Sequence, residues 1–419
     1  MCWRNCYKRQ KGKTDLKVVE KKLKDLAVKT IADCTITKKT AYFGAEADSD
    51  VLLPSGDEKY YSFWVRDAAM MAESGLVSDE DLKRYVEIIA TCGQNGGETL
   101  YLANGLQVPP YAVADHINYD GKPVFYPGTY DSGNDQGDGT YGTYPPFCDN
   151  YYFILMACSY VNQSGDRDIL NQSYSGMTLL ERLEKAFLGY NIDSATQLCV
   201  SDSAAHTVDW GFVDQVKKSG KLLMASLLRY NAALALAELL SEPQYTAIAA
   251  KIKVQILATF YDDTTGWFYS ATGLCHQHDV WATAFAVFSG ITENEKTLSA
   301  LARAYENKTA VVDGYVRHVL TDEDFSNKTA WESTITPYQT YQNGAYWATP
   351  TGWYAYALYL HSGKLTILED FLRHTEVYAS QSAPFEWFDA QTREVSGLHY
   401  GTSGVLPYIG LKKILEKRH

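Results

Sequence analysis

The sequence is short of the features that mark proteins of nucleic acids, metals or membranes. Its 38 Lys and Arg stand against 50 Asp and Glu, a formal net charge of -12, and the basic residues are scattered, so no nucleic-acid partner is expected. No stretch approaches the roughly 18 apolar residues of a membrane span, and the basic start MCWRNCYKRQKGK lacks the apolar run of a secretory signal. The chain therefore reads as cytoplasmic, with no membrane partner and with residues 1–14 as a flexible tail. Its eight cysteines have no CxxC spacing and read as buried thiols, and no set of metal ligands stands out. No metal or other cofactor is expected. Convincing strands are few as well.

What the chain has in plenty is aromatic surface with polar tips. Of its residues 13% are aromatic, with 32 Tyr and 9 Trp against 15 Phe. A core is built more simply from Leu, Ile and Phe, whereas Tyr and Trp suit a cleft that stacks on sugar rings. Helical periodicity predicts about a dozen helices: Asp15 to Ala32, Ala68 to Ala72, Leu82 to Thr91, Asp149 to Val161, Met177 to Leu188, Met224 to Leu240, Pro243 to Tyr261, Val280 to Phe288, Glu293 to Tyr305, Thr351 to His361, Leu365 to Tyr378 and Ser403 to Lys417. Short turns alternate with long loops rich in Trp, Tyr, Gly and acids. Helices pairing as hairpins around a ring would gather the long loops at one end, in one all-α domain over residues 1–419. The stretch 95–147, irregular and full of Gly, Pro, Asp and Tyr, reads as cleft wall rather than linker.

Three loop sites combine carboxylates with aromatics. In Thr207-Val208-Asp209-Trp210-Gly211-Phe212 the carboxyl of Asp209 is set beside an indole; lost hydration would raise its pKa and make it a proton donor near neutral pH. Its plainer role is to cap a turn. In Trp64-Val65-Arg66-Asp67, at a helix entry, Arg66 offers a fork of donors and Asp67 accepts from paired hydroxyls; an ion pair starting a helix is the plainer role. In Pro384-Phe385-Glu386-Trp387-Phe388-Asp389, Glu386 sits among aromatics, either in a site or in a surface turn. The stretch Tyr341-Gln342-Asn343-Gly344-Ala345-Tyr346-Trp347 adds amides beside stacking faces. Asp209 and Glu386 are thus the catalytic candidates, with Glu332 in reserve as base. Trp64, Arg66, Asp67, Asp149, Trp210, Gln342, Asn343, Tyr346, Trp347 and Trp387 are the sugar-binding candidates. Two acids in aromatic surroundings fit glycoside hydrolysis, one protonating the leaving oxygen and one activating water or attacking the sugar.

On these motifs the chain resembles the six-hairpin glycosidases, a group that includes glucoamylases, trehalases and the family 63 glucosidases. Trp64-Val65-Arg66-Asp67-Ala68 is similar to their sugar-holding Trp-x-Arg-Asp-Ala segment, Asp209-Trp210-Gly211-Phe212 to a mid-chain acid loop, and Phe385-Glu386-Trp387-Phe388-Asp389 to a C-terminal base segment. The resemblance spans about residues 58 to 412. It implies an (α/α)6 toroid and a hydrolase acting with inversion on an oligosaccharide or glycoside, with Asp209 as general acid and Glu386 as general base. The same toroid also carries sugar epimerases that use paired histidines, and uronate lyases. For those, His276, His278 and His318 would matter most. A non-catalytic carbohydrate-binding scaffold would need the aromatic platforms but no paired acids.

Overall fold

A computed structural model describes residues 16–56, 59–102, 104–129, 136–137, 139–275, 277–321, 331–378 and 384–418. The expected tail over 1–14 and His276 lie outside them. Twelve α-helices are described: α1 Leu16–Cys34, α2 Val65–Ala72, α3 Asp79–Ile88, α4 Cys148–Ser164, α5 Leu179–Leu188, α6 Leu223–Leu240, α7 Pro243–Phe260, α8 Val280–Phe288, α9 Glu295–Glu306, α10 Thr351–Ser362, α11 Thr366–Tyr378 and α12 Gly401–Arg418. Each coincides with one of the helices expected from periodicity.

The helices form two concentric rings. Among the even-numbered ones, α2 packs on α4, α4 on α6, α6 on α8, α8 on α10, α10 on α12 and α12 on α2, which closes the inner ring. The odd-numbered ones lie outside, α1 on α12, α3 on α4, α7 on α6, and α9 and α11 on α10. Composition sorts them. Inner helices are enclosed: every residue of α2, the charged Arg66 and Asp67 included, and of the apolar α8 (VWATAFAVF) is buried. Outer helices bury one stripe, as α3 does with Leu82, Tyr85, Val86 and Ile88, and α7 with Tyr245, Ala249, Ile252, Ile256 and Phe260. Their starts are set by capping side chains. Ser78 accepts from Asp81 N, Asn294 from Thr297 N, and Thr178 with Glu181 forms a reciprocal capping box.

Two expectations need correction. The helix α6 does reach the length and mean hydropathy of a membrane span, with 67% of that window buried. Its apolarity is that of an inner-ring helix. Strands are also more numerous than expected. Val311–Val312, Tyr315–Arg317, Tyr346–Trp347, Phe385–Phe388 and Val395–His399 form a five-stranded antiparallel sheet. A second sheet joins Phe63–Trp64, His116–Ile117 and Pro123–Val124, and Thr35–Thr40 pairs with Ala47–Leu52. The segment around Glu386 is therefore a strand and not a surface turn. Its two-residue alternation turns Glu386 and Phe388 inward and leaves Phe385 and Trp387 half-buried.

Where α10 and α12 cross, the backbones touch. A Cβ on Gly352 would collide with the Leu406 carbonyl, and one on Gly410 with the backbone of Gly352. Nothing lies within 4 Å of a Cβ built on Gly96. Gly410→Ala is therefore expected to lower stability by about 1–3 kcal/mol, the usual cost of overpacking, with Gly96→Ala within about 0.5 kcal/mol of the parent. Urea unfolding followed by circular dichroism measures both, and equal stabilities would refute the close crossing.

Candidate active site

The strand Phe63–Trp64 runs straight into α2, so Trp64 is the N-cap and Arg66 and Asp67 occupy the first helical turn. Antiparallel pairing sets Trp64 opposite His116, and Val65 N donates to Asp115 O at 3.2 Å. That register delivers Asp115 to the Arg66 guanidinium: Nη1 lies 2.5 Å from Asp115 Oδ1. The start of α4 brings Asp149, its Oδ1 3.6 Å from the same nitrogen, and Asp67 Oδ2 stands 3.6 Å from Nε. The guanidinium rests against Gly211, where a Cβ would overlap it, and lies 5.5 Å from the Phe212 ring centre.

These groups flank a cavity with ≈ 550 Å³ of empty volume, its open mouth included. Its aromatic walls are Tyr60, Trp64, Tyr141, Phe212, Tyr341 and Tyr400; its polar floor is Arg66, Asp115, Asp214, Gln215 and Glu386. The Trp64 ring stacks on His116 at 4.2 Å and meets Tyr60 edge-on at 5.2 Å. The His116 Nδ1 is 2.9 Å from Asp115 Oδ2.

Burial sets the electrostatics, and neighbouring charges then divide the carboxyls. Desolvation raises Glu386 to about 8, with Asp67 and Asp214 adding to the rise. Desolvation also raises Asp214 to about 6, against hydrogen bonds from Gln342 and Gln215 and the attraction of Arg66. Asp67 goes to about 6, raised by burial and held back by Arg66 and Tyr400. Asp115 is equally buried, but Arg66 and His116 bring it down to about 2. Burial would strip the Arg66 charge; the three aspartates outweigh it and hold its pKa well above the ordinary value. The cavity thus joins a permanent ion pair to two carboxyls of unequal proton affinity.

Of the residues expected from sequence, Trp64, Arg66 and Glu386 line the cavity, and Asp67 and Asp149 support Arg66 from behind. Gln342 holds the floor, its Oε1 accepting from Gln215 N at 2.7 Å. Asp209 does not line the cavity. It is 1% exposed, its Oδ2 is 2.8 Å from Lys218 Nζ, and its Oδ1 accepts from Trp210 N. Trp210 is wholly buried, with Nε1 donating to Tyr152 Oη and its ring against Phe212, Trp281 and Trp353. Asn343 braces its own loop through Thr336 O, and Tyr346 and Trp347 are buried in the sheet. Trp387 lies outside the lining, 5.9 Å from the ring of Tyr341. Glu332 accepts from Ser219 and Leu274 N and pairs with His206, which together hold its pKa down despite burial.

The histidines are engaged elsewhere too. His278 Nε2 is 3.1 Å from Asp262, and His318 Nε2 is 3.1 Å from Asp279, its ring between Trp281 and Trp331. Among the described residues no histidine lines the cavity.

Sequence reasoning missed Asp115, Asp214 and Gly397. Asp214 follows Asp209 by five residues in the same loop, and Asp115 carried no motif. Pro127, Gly128 and Tyr141 do come from the stretch read as cleft wall. Gly397 shows only in three dimensions: strand register shifts between Phe385 and Trp387, and Gly397, at φ +73°, sits where a Cβ would be 2.6 Å from Glu386 Oε2. A bulge with a side-chain-free residue is what leaves Glu386 its place.

No protein-family profile matches the chain and no curated protein does. Solved structures do. A rhamnosidase from Klebsiella oxytoca with rhamnose bound superposes with a TM-score of 0.59 at 12% identity, over 96% of this chain and 65% of its own. The fold is that of the six-hairpin glycosidases. A family 78 rhamnosidase from Bacillus sp. GL1 gives 0.56 at 12% identity, over 94% of this chain and 34% of its own. The cellobiose 2-epimerase from Spirochaeta thermophila gives 0.56 at 11%, over 96% and 100%. The chain thus spans less than two thirds of the two rhamnosidases and the whole of the epimerase.

Two outcomes test this geometry. An unfolded glutamate releases its proton near 4.5, whereas Glu386 holds it to about 8. Between those values the unfolded chain has already lost a proton that the folded one keeps, so Glu386 costs stability increasingly as pH rises from 4.5 to 8. Glu386→Gln should therefore raise Tm relative to the parent more at pH 8 than at pH 5; a gain independent of pH would contradict the raised pKa. Lys218→Met strands Asp209 without its partner and should cost about 3–5 kcal/mol in urea unfolding. A cost below about 1 kcal/mol would mean that Asp209 is not held by that pair.

Proposed function

We propose that this protein is a glycoside hydrolase that cleaves a glycosidic bond with inversion, using Glu386 and Asp214 as its acid–base pair. The observation that carries this reading is two buried carboxyls of unequal proton affinity facing one aromatic-walled cavity that no described histidine lines. The unequal affinities divide the labour. At neutral pH Glu386 keeps its proton and gives it to the glycosidic oxygen, while Asp214 is largely ionised and takes a proton from the attacking water. Both line the same cavity, and inversion requires a water held between them. The ion pair of Arg66 with Asp115 binds sugar hydroxyls, and Trp64 and Phe212 offer apolar faces.

This assignment exchanges the expected roles: the mid-chain acid is Asp214 in place of Asp209 and serves as base, and Glu386 is donor rather than base. The fold also carries an epimerase, but a paired-histidine epimerase would need imidazoles at the cavity. His278 and His318 are bound to aspartates away from it, and His116 lies behind Trp64.

The deciding experiment is a release assay on disaccharides and aryl glycosides, with the product anomer followed by NMR. Glu386→Gln should lose about 10²–10⁴-fold on disaccharides and much less on glycosides of acidic phenols, which leave without a proton. Asp214→Asn should lose activity on both and regain it with azide as an external nucleophile. The reverse pattern would exchange the two roles. Full activity in both variants, or isomerisation of free sugar without hydrolysis, would refute the proposal.

A further inference from the structure

The charges in the cavity select what can occupy it, an argument that rests on reading the cavity as a sugar site. Asp67, Asp115 and Asp214 carry negative charge around it near neutral pH, while burial keeps Asp149 and Glu386 protonated, and Arg66 is the one cation among its described lining residues. That cation already faces three carboxyls. Its nitrogens face Asp115 at 2.5 Å and Asp149 and Asp67 at 3.6 Å, and Gly211 and Phe212 crowd it from the side. Three lysines are near without lining the cavity: Lys218 is bound to Asp209, Lys217 lies 5.7 Å from the Tyr141 ring centre, and exposed Lys59 exerts a weak pull on Glu386. The acid excess is not a metal site, since no group of described residues has the arrangement to hold an ion.

An independent observation points to what the cavity takes. Asp214 lines it and is 8% exposed; Gln342 and Gln215 hydrogen-bond its carboxyl, yet the buried Oδ1 is left without a partner. A buried carboxylate oxygen without a donor calls for one, and a charged donor satisfies it best. A sugar carboxylate, sulfate or phosphate would instead add a desolvated charge of the same sign as Asp115 and Asp214.

We propose that the sugar unit bound here carries no anionic substituent, and that a unit bearing a protonated amine binds more tightly than its neutral counterpart by pairing with Asp214. Uronic-acid, sulfated and phosphorylated termini are excluded, which also separates this cavity from one serving a uronate lyase.

Binding tests this without turnover, so it is read independently of whether the protein hydrolyses glycosides. Isothermal titration at pH 7.5 and low salt would compare a free hexose, its 2-amino-2-deoxy counterpart and its hexuronic acid in the gluco, galacto and manno series. In the series that binds, the amino sugar should be about tenfold or more tighter than the neutral sugar, and the uronic acid about tenfold or more weaker. Asp214→Asn should remove most of the amine's advantage. A uronic acid binding as tightly as the neutral sugar, an amine with no advantage, or no binding in any series would each overturn the proposal.

Discussion

A single buried guanidinium organises this molecule's interior. Arg66 gives up its hydration on entering the first turn of α2, and an uncompensated charge there would cost far more than the fold can bear. Compensation comes from three aspartates on separate pieces of chain: Asp67 beside it, Asp115 across a strand pairing and Asp149 at the head of α4. The requirement to neutralise one charge thus fixes two inner helices and a strand against each other. It also supplies the negative field in which Glu386 and Asp214 sit. Asp115 stays ionised because Arg66 and His116 hold it so, and its charge, with that of Asp67, discourages further ionisation nearby. Burial raises Glu386 and Asp214 in the first place, and the carboxylates gathered round Arg66 add to it.

The sequence made the helices legible and the site only partly so, for physical reasons. Inner helices such as VWATAFAVF are apolar on every side and outer ones are striped, and both patterns follow from where each helix must sit. The strands were hard to see because most span two residues, too few for any alternation to register. Their existence is decided by tertiary pairing. The motif at Trp64 to Asp67 was readable because adjacent residues share one helix turn and act together.

Asp209 and Asp214 show where local reading stops. Both are acids of one loop, and the indole next to Asp209 argued for desolvation, correctly, since Asp209 is 1% exposed. Desolvation does not say what a carboxyl faces. Lys218, nine residues on, folds back to claim Asp209, and the Trp210 ring turns into the core against Trp281 and Trp353. Asp214 reaches the cavity instead, after the short helical turn Gly211–Val213 has rotated the chain. A motif can identify the loop; the partner that neutralises each acid decides which one faces the cavity.

The same logic separates fold from chemistry. One ring of helices carries glycosidases and an epimerase, so the ring itself cannot dictate the reaction. The loops do, by what they leave unsatisfied. In this chain His116 has Asp115 and His318 has Asp279 at one ring nitrogen each. Glu386 is the contrary case: the bulge at Gly397 clears space around its Oε2, and its side chain has no ion-pair partner among the described contacts. Backbone geometry rather than a counter-charge fixes it, and a buried carboxyl without a counter-charge holds its proton to higher pH.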